Sequence, residues 1–320
     1  MALMRTLSLG KRGFRNYVQN RAFSVSFEVT YACNARCKHC HLGGPVTEER
    51  ATPQKLGQVY DEIQPVEVIL SGGEPLLRND LEDIVRAIHR KNSAPYIVIT
   101  TNASLLKQAR YQSLREAGAD QFSISLDYPD ERHDEFRGIP GLFQKIRDFI
   151  GGLDSSPNKA VTLSCCVQKY NFRELLKIAQ LAADWKVRVN FTTYTWLRTK
   201  NKEYLLTKED LPEFRDIVDQ LLELKKQNKN FFPSPYVFQR MIRYFEDGSI
   251  PGCRAGIRFF VVNPNGAVSP CGLIMKYYKD VAQMRADFVP TNTCGDCNTT
   301  IRSECEKPIQ LLVRDSLGSI

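Results

Sequence analysis

The 320 residues are 42% hydrophobic and 25% charged, a globular balance in a chain long enough to bury one large core and a smaller one. No apolar run of about 18 residues or more occurs, which excludes a transmembrane helix by hydropathy, and ten cysteines in a chain of this length are not a small secreted disulfide scaffold. The net charge of +8 includes Arg5, Lys11, Arg12, Arg15 and Arg21 near the start, with no basic stripe and interleaved aromatics elsewhere, so nucleic acid is not an expected partner.

Residues 1–22 carry no acid and place Leu3, Leu7, Phe14 and Val18 near one face of a helix that Lys11 interrupts. Without a continuous apolar core this is not a secretory signal. We expect a basic leader helix packed across the open bottom or edge of a barrel; weak peripheral contact with an anionic membrane is the alternative. From residue 23 strands and helices alternate, with strands over 24–30, 66–71, 96–101, 120–126, 160–167 and 187–193. Leu81, Ile84, Val85 and Ile88 mark one buried helical stripe. A second helix should start at Asn171 as N-cap and bury Leu175, Ile178 and Ala182. A third opens with the capping box Thr207 to Asp210 and buries Leu211, Phe214, Val218 and Leu221. Six such units predict an α/β fold with a parallel sheet and ligands at the carboxyl ends of its strands. Beyond Lys225 the rhythm fades into a linker-like Asn228 to Pro235, a short helix around 236–245, an extended Ile257 to Val262 and a hairpin turn at Asn263-Pro-Asn-Gly266.

The chemistry-bearing residues lie where that rhythm predicts. Cys33, Cys37 and Cys40 come after the first strand with C-x3-C-x2-C spacing. Three thiolates can hold three irons of a [4Fe–4S] cubane and leave the fourth iron open, whereas ferredoxin runs supply four. Zinc, which prefers closure by four ligands, is the competing reading. Gly72-Gly73-Glu74 comes after the second strand and Thr101-Asn102 after the third; glycines there permit close backbone approach, and a carboxylate can accept from an ammonium group. Ser125 and Asp127 close the fourth strand, with His133, Asp134 and Arg137 beyond them. Cys165 and Cys166 are strand neighbours pointing to opposite faces, so they cannot share a metal; core packing is expected, with hydrogen-atom donation by a lumen-facing thiol as the alternative. His41 and His89 read as structural or solvent-facing.

The cysteine triplet with Gly72-Gly73-Glu74 resembles the radical S-adenosylmethionine (radical SAM) superfamily over roughly residues 23–230. The resemblance implies a partial (β/α)6 TIM-like barrel and a cluster on Cys33, Cys37 and Cys40 whose open iron chelates SAM. It implies that Gly72, Gly73 and Glu74 bind the amino group of SAM's methionine moiety, with Asn102, Ser125, Asp127 and Arg137 as further SAM contacts. His39 stands where the family usually carries an aromatic residue. The wording of residues 125–137 looks like the subgroup with a C-terminal SPASM or twitch region.

Cys253, Cys271, Cys294 and Cys297, with Cys305 as a further candidate, can supply converging thiolates for zinc or a second cluster. Gly266, five residues before Cys271, resembles the start of a SPASM region, and the missing later cysteines suggest the twitch version with one auxiliary [4Fe–4S] cluster. The expected organisation is a leader (1–22), a barrel (23–245) and an auxiliary-cluster domain (246–320). The expected activity is reductive cleavage of SAM to a 5′-deoxyadenosyl radical that takes hydrogen from a small-molecule or lipid-like substrate in a biosynthetic pathway, the catalytic donor or acceptor being unassigned. A flavodoxin- or ferredoxin-type electron donor and a cytoplasmic location go with it. Alternatives are a peptide- or protein-modifying maturase, a non-catalytic iron–sulfur carrier and a zinc-binding structural protein.

Overall fold

The computed structural model describes residues 2–91, 93–154, 160–227 and 234–312. In chain order these form α1 (Ala2–Val18), β1 (Ser24–Thr30), α2 (Pro53–Ile63), β2 (Glu67–Gly72), α3 (Leu81–Ile88), β3 (Tyr96–Thr101), α4 (Gln108–Ala117), β4 (Gln121–Ser125), α5 (Arg132–Arg137), α6 (Leu142–Gly151), β5 (Val161–Val167), α7 (Leu175–Asp184), β6 (Arg188–Thr193), α8 (Leu211–Gln227), α9 (Pro235–Asp247), β7 (Phe259–Val262), β8 (Val268–Ser269), α10 (Val281–Asp287) and α11 (Thr300–Cys305). The six expected strands are present, and the chain is an α/β protein with parallel strands. Among the described residues no helix is long and apolar enough to cross a membrane. Residues 228–233 of the linker-like stretch lie outside the described residues.

The chain folds into two compact units. The first comprises Met1–Ala35, Leu42–Phe122 and Arg254–Asn292, the second Arg36–His41, Ser123–Cys253 and Thr293–Ile320. The stretch 246–320, expected as one auxiliary domain, is thus shared between them.

In the first unit the strands run in the order β3-β2-β1-β7-β8. β1 is buried along nearly its whole length and pairs in parallel with β2 (Val25 opposite Val68) and with β7 (Phe27 opposite Val262). A near-continuous apolar run such as Phe259-Phe-Val-Val262, buried at every position, suits a parallel strand covered on both faces. The hairpin anticipated at Asn263 to Gly266 exists, Gly266 N donating to Asn263 O at 2.9 Å with φ of +88° at Gly266. It is not free-standing, however. A two-stranded ribbon is marginal in water, and β7 gains a partner by completing the open edge of β1.

α1 lies against the N-terminal ends of these strands, polar face inward. Arg5 donates to Pro95 O (3.0 Å) and to Asp120 Oδ2, Ser8 bonds Ser93, Arg12 donates to Tyr60 Oη (2.7 Å), and Asn16 Nδ2 donates to Ala22 O (2.8 Å) and Gln64 O (3.0 Å). Burial pushes the Asp120 carboxyl up, against the pull of Ile97 N–H and Arg5. The apolar residues chosen from the sequence face outward: Leu7 is 65%, Phe14 65% and Val18 64% exposed, while the side chain of Leu3 lies outside the described residues.

In the second unit the order is β6-β5-β4, with β5 and β6 parallel (Thr162 opposite Arg188, Cys165 opposite Phe191). Asn171 does not cap α7 directly. A turn of 3-10 helix, Phe172–Glu174, intervenes, and the Asn171 amide donates instead to Asp127 O (3.1 Å) and Cys166 O (3.0 Å), joining two strand ends. The box before α8 forms as expected, Thr207 N and Oγ1 donating to Asp210 Oδ2 at 2.8 and 2.9 Å. Leu211, Phe214, Val218 and Leu221 are buried beneath α8.

Candidate active site

The first unit carries Cys33, Gly72, Gly73, Glu74 and Asn102 at the carboxyl ends of β1, β2 and β3. The glycines serve a backbone-to-backbone contact. Gly73 N donates to Thr30 O (2.7 Å) and Glu74 N to Ala32 O (2.9 Å), clasping the segment that enters the cysteine loop. A Cβ on Gly72 would lie 2.2 Å from Thr30 O and one on Gly73 2.1 Å from Ala32 O; Gly72 also has φ of +120°. No other residue fits that approach. Cys33 and Gly44 exchange backbone bonds at 3.1 and 2.8 Å, closing the loop at its base, and Glu48 accepts from Thr30 Oγ1 and Tyr31 N (2.7 Å).

Glu74 is 1% exposed. Its carboxylate accepts from Leu76 N (3.1 Å), Thr101 Oγ1 (2.7 Å) and Asn102 N (2.8 Å), tying the end of β2 to that of β3. Asn102 Nδ2 in turn donates to Asn34 Oδ1 at 2.9 Å, beside Cys33. Glu74→Ala would leave three buried donors short of an acceptor, so we expect a loss on the order of 3 kcal/mol in urea denaturation. Unchanged stability would show that the carboxylate does not hold the two strand ends.

The second unit carries Cys37, Cys40, Ser125, Asp127 and Arg137. Arg36 N and Lys38 N donate to Arg137 O (2.9 Å) and Phe136 O (3.1 Å), laying this stretch of the cysteine loop along α5. Asp127 is fully buried and ion-paired: Arg137 Nε donates to its Oδ2 at 2.7 Å, and Cys166 N to its Oδ1 at 3.0 Å. Burial is the strongest single influence and pushes the Asp127 carboxyl up, but Arg137, His39, His133 and the Cys166 N–H together outweigh it and hold the carboxyl below its usual range. The other arm of Arg137 reaches Cys37 Sγ at 3.5 Å, and opposes the upward push of burial on that thiol. Ser125 sits half-buried at the end of β4. His39 stacks on Phe136 with ring centroids 4.8 Å apart, and desolvation lowers its pKa to about 4.

Two members of this constellation were named in the sequence but not assigned to the site. His133, which a bare loop would leave in solvent, is completely buried and accepts from Asp127 N at 3.2 Å through Nδ1. Burial and the Arg137 charge lower its pKa to about 4, so folding favours the neutral ring. Its contribution is fully present above the unfolded pKa near 6.5 and is lost as pH falls toward 4; Asp127, also lowered, acts in the same direction at more acid pH. His133 should account for about 2 kcal/mol of the loss of urea stability between pH ~7.5 and ~5, in addition to what His39 and His41, also lowered to about 4, contribute, and His133→Gln should flatten the slope by that share. The second is Asn171, expected only as a helix cap. On β5, Cys165 is buried while Cys166 is half-buried, as alternation requires, and burial raises both thiols.

Of the later cysteines, Cys253, Cys294, Cys297 and Cys305 belong to the second unit and Cys271 to the first. Cys253 N donates to Cys294 O at 3.4 Å, and a side-chain bond from Cys253 is the main cause of a Cys294 pKa lowered to about 6. Arg302, wholly buried and not picked out from the sequence, donates to Cys297 O and Ile250 O, both at 2.5 Å. None of the ten cysteines is in a disulfide. Among the described residues no three His, Cys, Asp or Glu side chains are grouped so as to hold a metal ion as they stand. The donor set nonetheless fits an iron–sulfur cluster: three thiols outside any disulfide, within eight residues and at least partly exposed, on a loop whose backbone is pinned at both ends.

The fold and this loop define a class. A family model described as the Radical SAM superfamily matches residues 27–211, more than half of the chain. The AdoMet-dependent heme synthase of Oleidesulfovibrio alaskensis is 26% identical over 279 residues, 78% of this chain and 69% of that protein. The AdoMet-dependent heme synthase of Methanosarcina barkeri is 28% identical over 276 residues, 78% and 76% of the two chains. Streptococcus suis SuiB, in a crystal structure with its precursor peptide SuiA, shares the fold with a TM-score of 0.63 at 16% identity, over 83% of this chain and 65% of that one. The chain belongs to the radical SAM superfamily and is an enzyme of that class, whose cofactors are a [4Fe–4S] cluster and SAM.

Proposed function

We propose that Cys33, Cys37 and Cys40 ligate the SAM-cleaving cluster and that the enzyme takes a hydrogen atom from a small-molecule or lipid-like substrate in a biosynthetic pathway. The observation that carries this reading is the clasp of Gly72-Gly73-Glu74 on the segment entering the cysteine loop, which brings the glycine motif and the start of the cysteine loop to one rim of the first unit. Cys33, Cys37 and Cys40 would hold the cluster, which when bound would supply the electron for reductive cleavage of SAM. The chain's own residues hold and orient: Glu74 fixes the ends of β2 and β3, Asn102 steadies Asn34, and in the second unit Asp127 and Arg137 set the loop at Cys37. Gly72, Gly73, Glu74, Asn102, Ser125, Asp127 and Arg137 are the proposed SAM contacts and supports.

A twitch-like region with an auxiliary cluster is part of the proposal, with Cys253, Cys271, Cys294 and Cys297 as ligands and Cys305 as the further candidate. The two heme synthases above are named for work on a small molecule, which favours that class; the peptide bound to SuiB supports peptide modification as the second reading. A flavodoxin- or ferredoxin-type donor and a cytoplasmic setting accompany the chemistry. Anaerobic reconstitution, then addition of SAM and dithionite, tests the core of it: slow release of 5′-deoxyadenosine without substrate is expected, and its absence from an iron-loaded protein would overturn the proposal.

A further inference from the structure

We propose that α1 seats the protein on a lipid surface with anionic headgroups, its outward stripe entering the interface and Lys11 meeting lipid phosphate. Met4, Leu7, Phe14 and Val18 are each 64–65% exposed. They recur at intervals of three, seven and four residues, which lines them along one side of a helix. Four of the nine large exposed hydrophobic side chains among the described residues fall on this one helix, so the patch is concentrated rather than scattered.

The outward orientation is fixed. Asn16 is completely buried and donates to two backbone carbonyls, and Arg5, Ser8 and Arg12 bond to the strand-preceding segments and α2. Rolling the stripe inward would strip these bonds and bury guanidinium groups without partners. The segments contacted (Ala22, Gln64, Ser93, Pro95 and Asp120) precede the strands, whereas Gly72, Gly73, Glu74 and Asn102 lie at their far ends. A surface docked on α1 therefore leaves that rim of the first unit open.

Charge decides the occupant. Residues 1–22 hold five cations and no acid; Arg5, Arg12 and Arg15 bond to the fold, and Lys11 is the cation on the outward stripe. Lys11 stands at the midpoint of the stripe. Were a second copy to cover it, parallel or antiparallel pairing of the two helices would set Lys11 against its counterpart, with no carboxylate on either helix to neutralise them. Like charges in an apolar seam oppose association. An anionic headgroup layer instead accepts the lysine, whose stem can lie along the apolar stripe while its ammonium reaches phosphate.

The test is co-sedimentation of the reconstituted full chain with vesicles of phosphatidylcholine alone or with about one third phosphatidylglycerol. We expect binding to the anionic vesicles, weakened by salt, and at least about tenfold weaker binding for Leu7→Ser/Phe14→Ser and, on anionic vesicles, for Lys11→Glu. Both variants should keep wild-type melting temperature and SAM cleavage, because the changed residues face away from the fold. Wild-type protein that binds neither vesicle, or binds both equally, overturns the proposal. So does a wild-type dimer in light scattering that Leu7→Ser/Phe14→Ser converts to monomer, which would assign the stripe to a second copy.

Discussion

Replacing Cys33, Cys37 and Cys40 together by alanine should remove about half of the iron from anaerobically reconstituted protein and abolish 5′-deoxyadenosine release. The wild type should carry about eight irons per chain, four at each of two cysteine groups. The structure makes this a clean substitution. The loop is held by its backbone, through Cys33 with Gly44, Gly73 with Thr30, Glu74 with Ala32, and Arg36 and Lys38 with the end of α5, so the thiols can be removed without losing those bonds. Two thiol bonds would go: Ala35 N would lose Cys33 Sγ, and Arg137 would lose Cys37 Sγ but keep Asp127. Breaking that buried ion pair is the costlier change, at roughly 3–5 kcal/mol, and the triple variant avoids it. Loss of all iron, or a wild type with only four irons, would refute the two-cluster reading. Iron halved with SAM cleavage intact would show that the cluster on the cysteine triplet is not the one that cleaves SAM.

The elements that position this site were legible because each rests on local sequence. Apolar strand runs ending in Gly72-Gly73-Glu74 or Thr101-Asn102, and the cysteine spacing itself, need no knowledge of the tertiary fold. What could not be read depends on how the folded chain turns and packs, whether the partner is near or remote in sequence. Phe259–Val262 looks like one arm of a hairpin until β1 is seen to need a neighbour on its open edge. His133 looks solvated until Asp127, six residues earlier, turns its backbone N–H onto the ring. Arg302 is one of many arginines in the sequence; only the carbonyls of Ile250 and Cys297 single it out. α1 shows the same limit in reverse. Its apolar spacing was visible, but spacing cannot say which face turns inward, and the buried bonds of Asn16 and Arg5 decide it.

Cys294→Ala combined with Cys297→Ala should leave uncoupled SAM cleavage in place while turnover of the true substrate disappears. The reason begins with the bonds that hold this part of the second unit without metal. Arg302 is wholly buried and donates to Cys297 O and Ile250 O at 2.5 Å, with its Nε on Glu306 at 3.1 Å. Ile250 N donates to Gly295 O at 2.7 Å, and Arg240 pairs with Glu306. These bonds use backbone carbonyls and the side chains of other residues, so alanine at 294 and 297 preserves them. Metal would add local folding energy, since a cluster joins segments too short to have a core of their own. The Glu74 ties and the Arg137–Asp127 pair use none of these cysteines. The variant should therefore hold about four irons and still release 5′-deoxyadenosine. An auxiliary cluster acting as electron acceptor or as substrate platform predicts lost turnover in either case. Full turnover by the double variant would make that cluster dispensable, and loss of all SAM cleavage would show that the cysteine turn at 294–297 supports the first site as well.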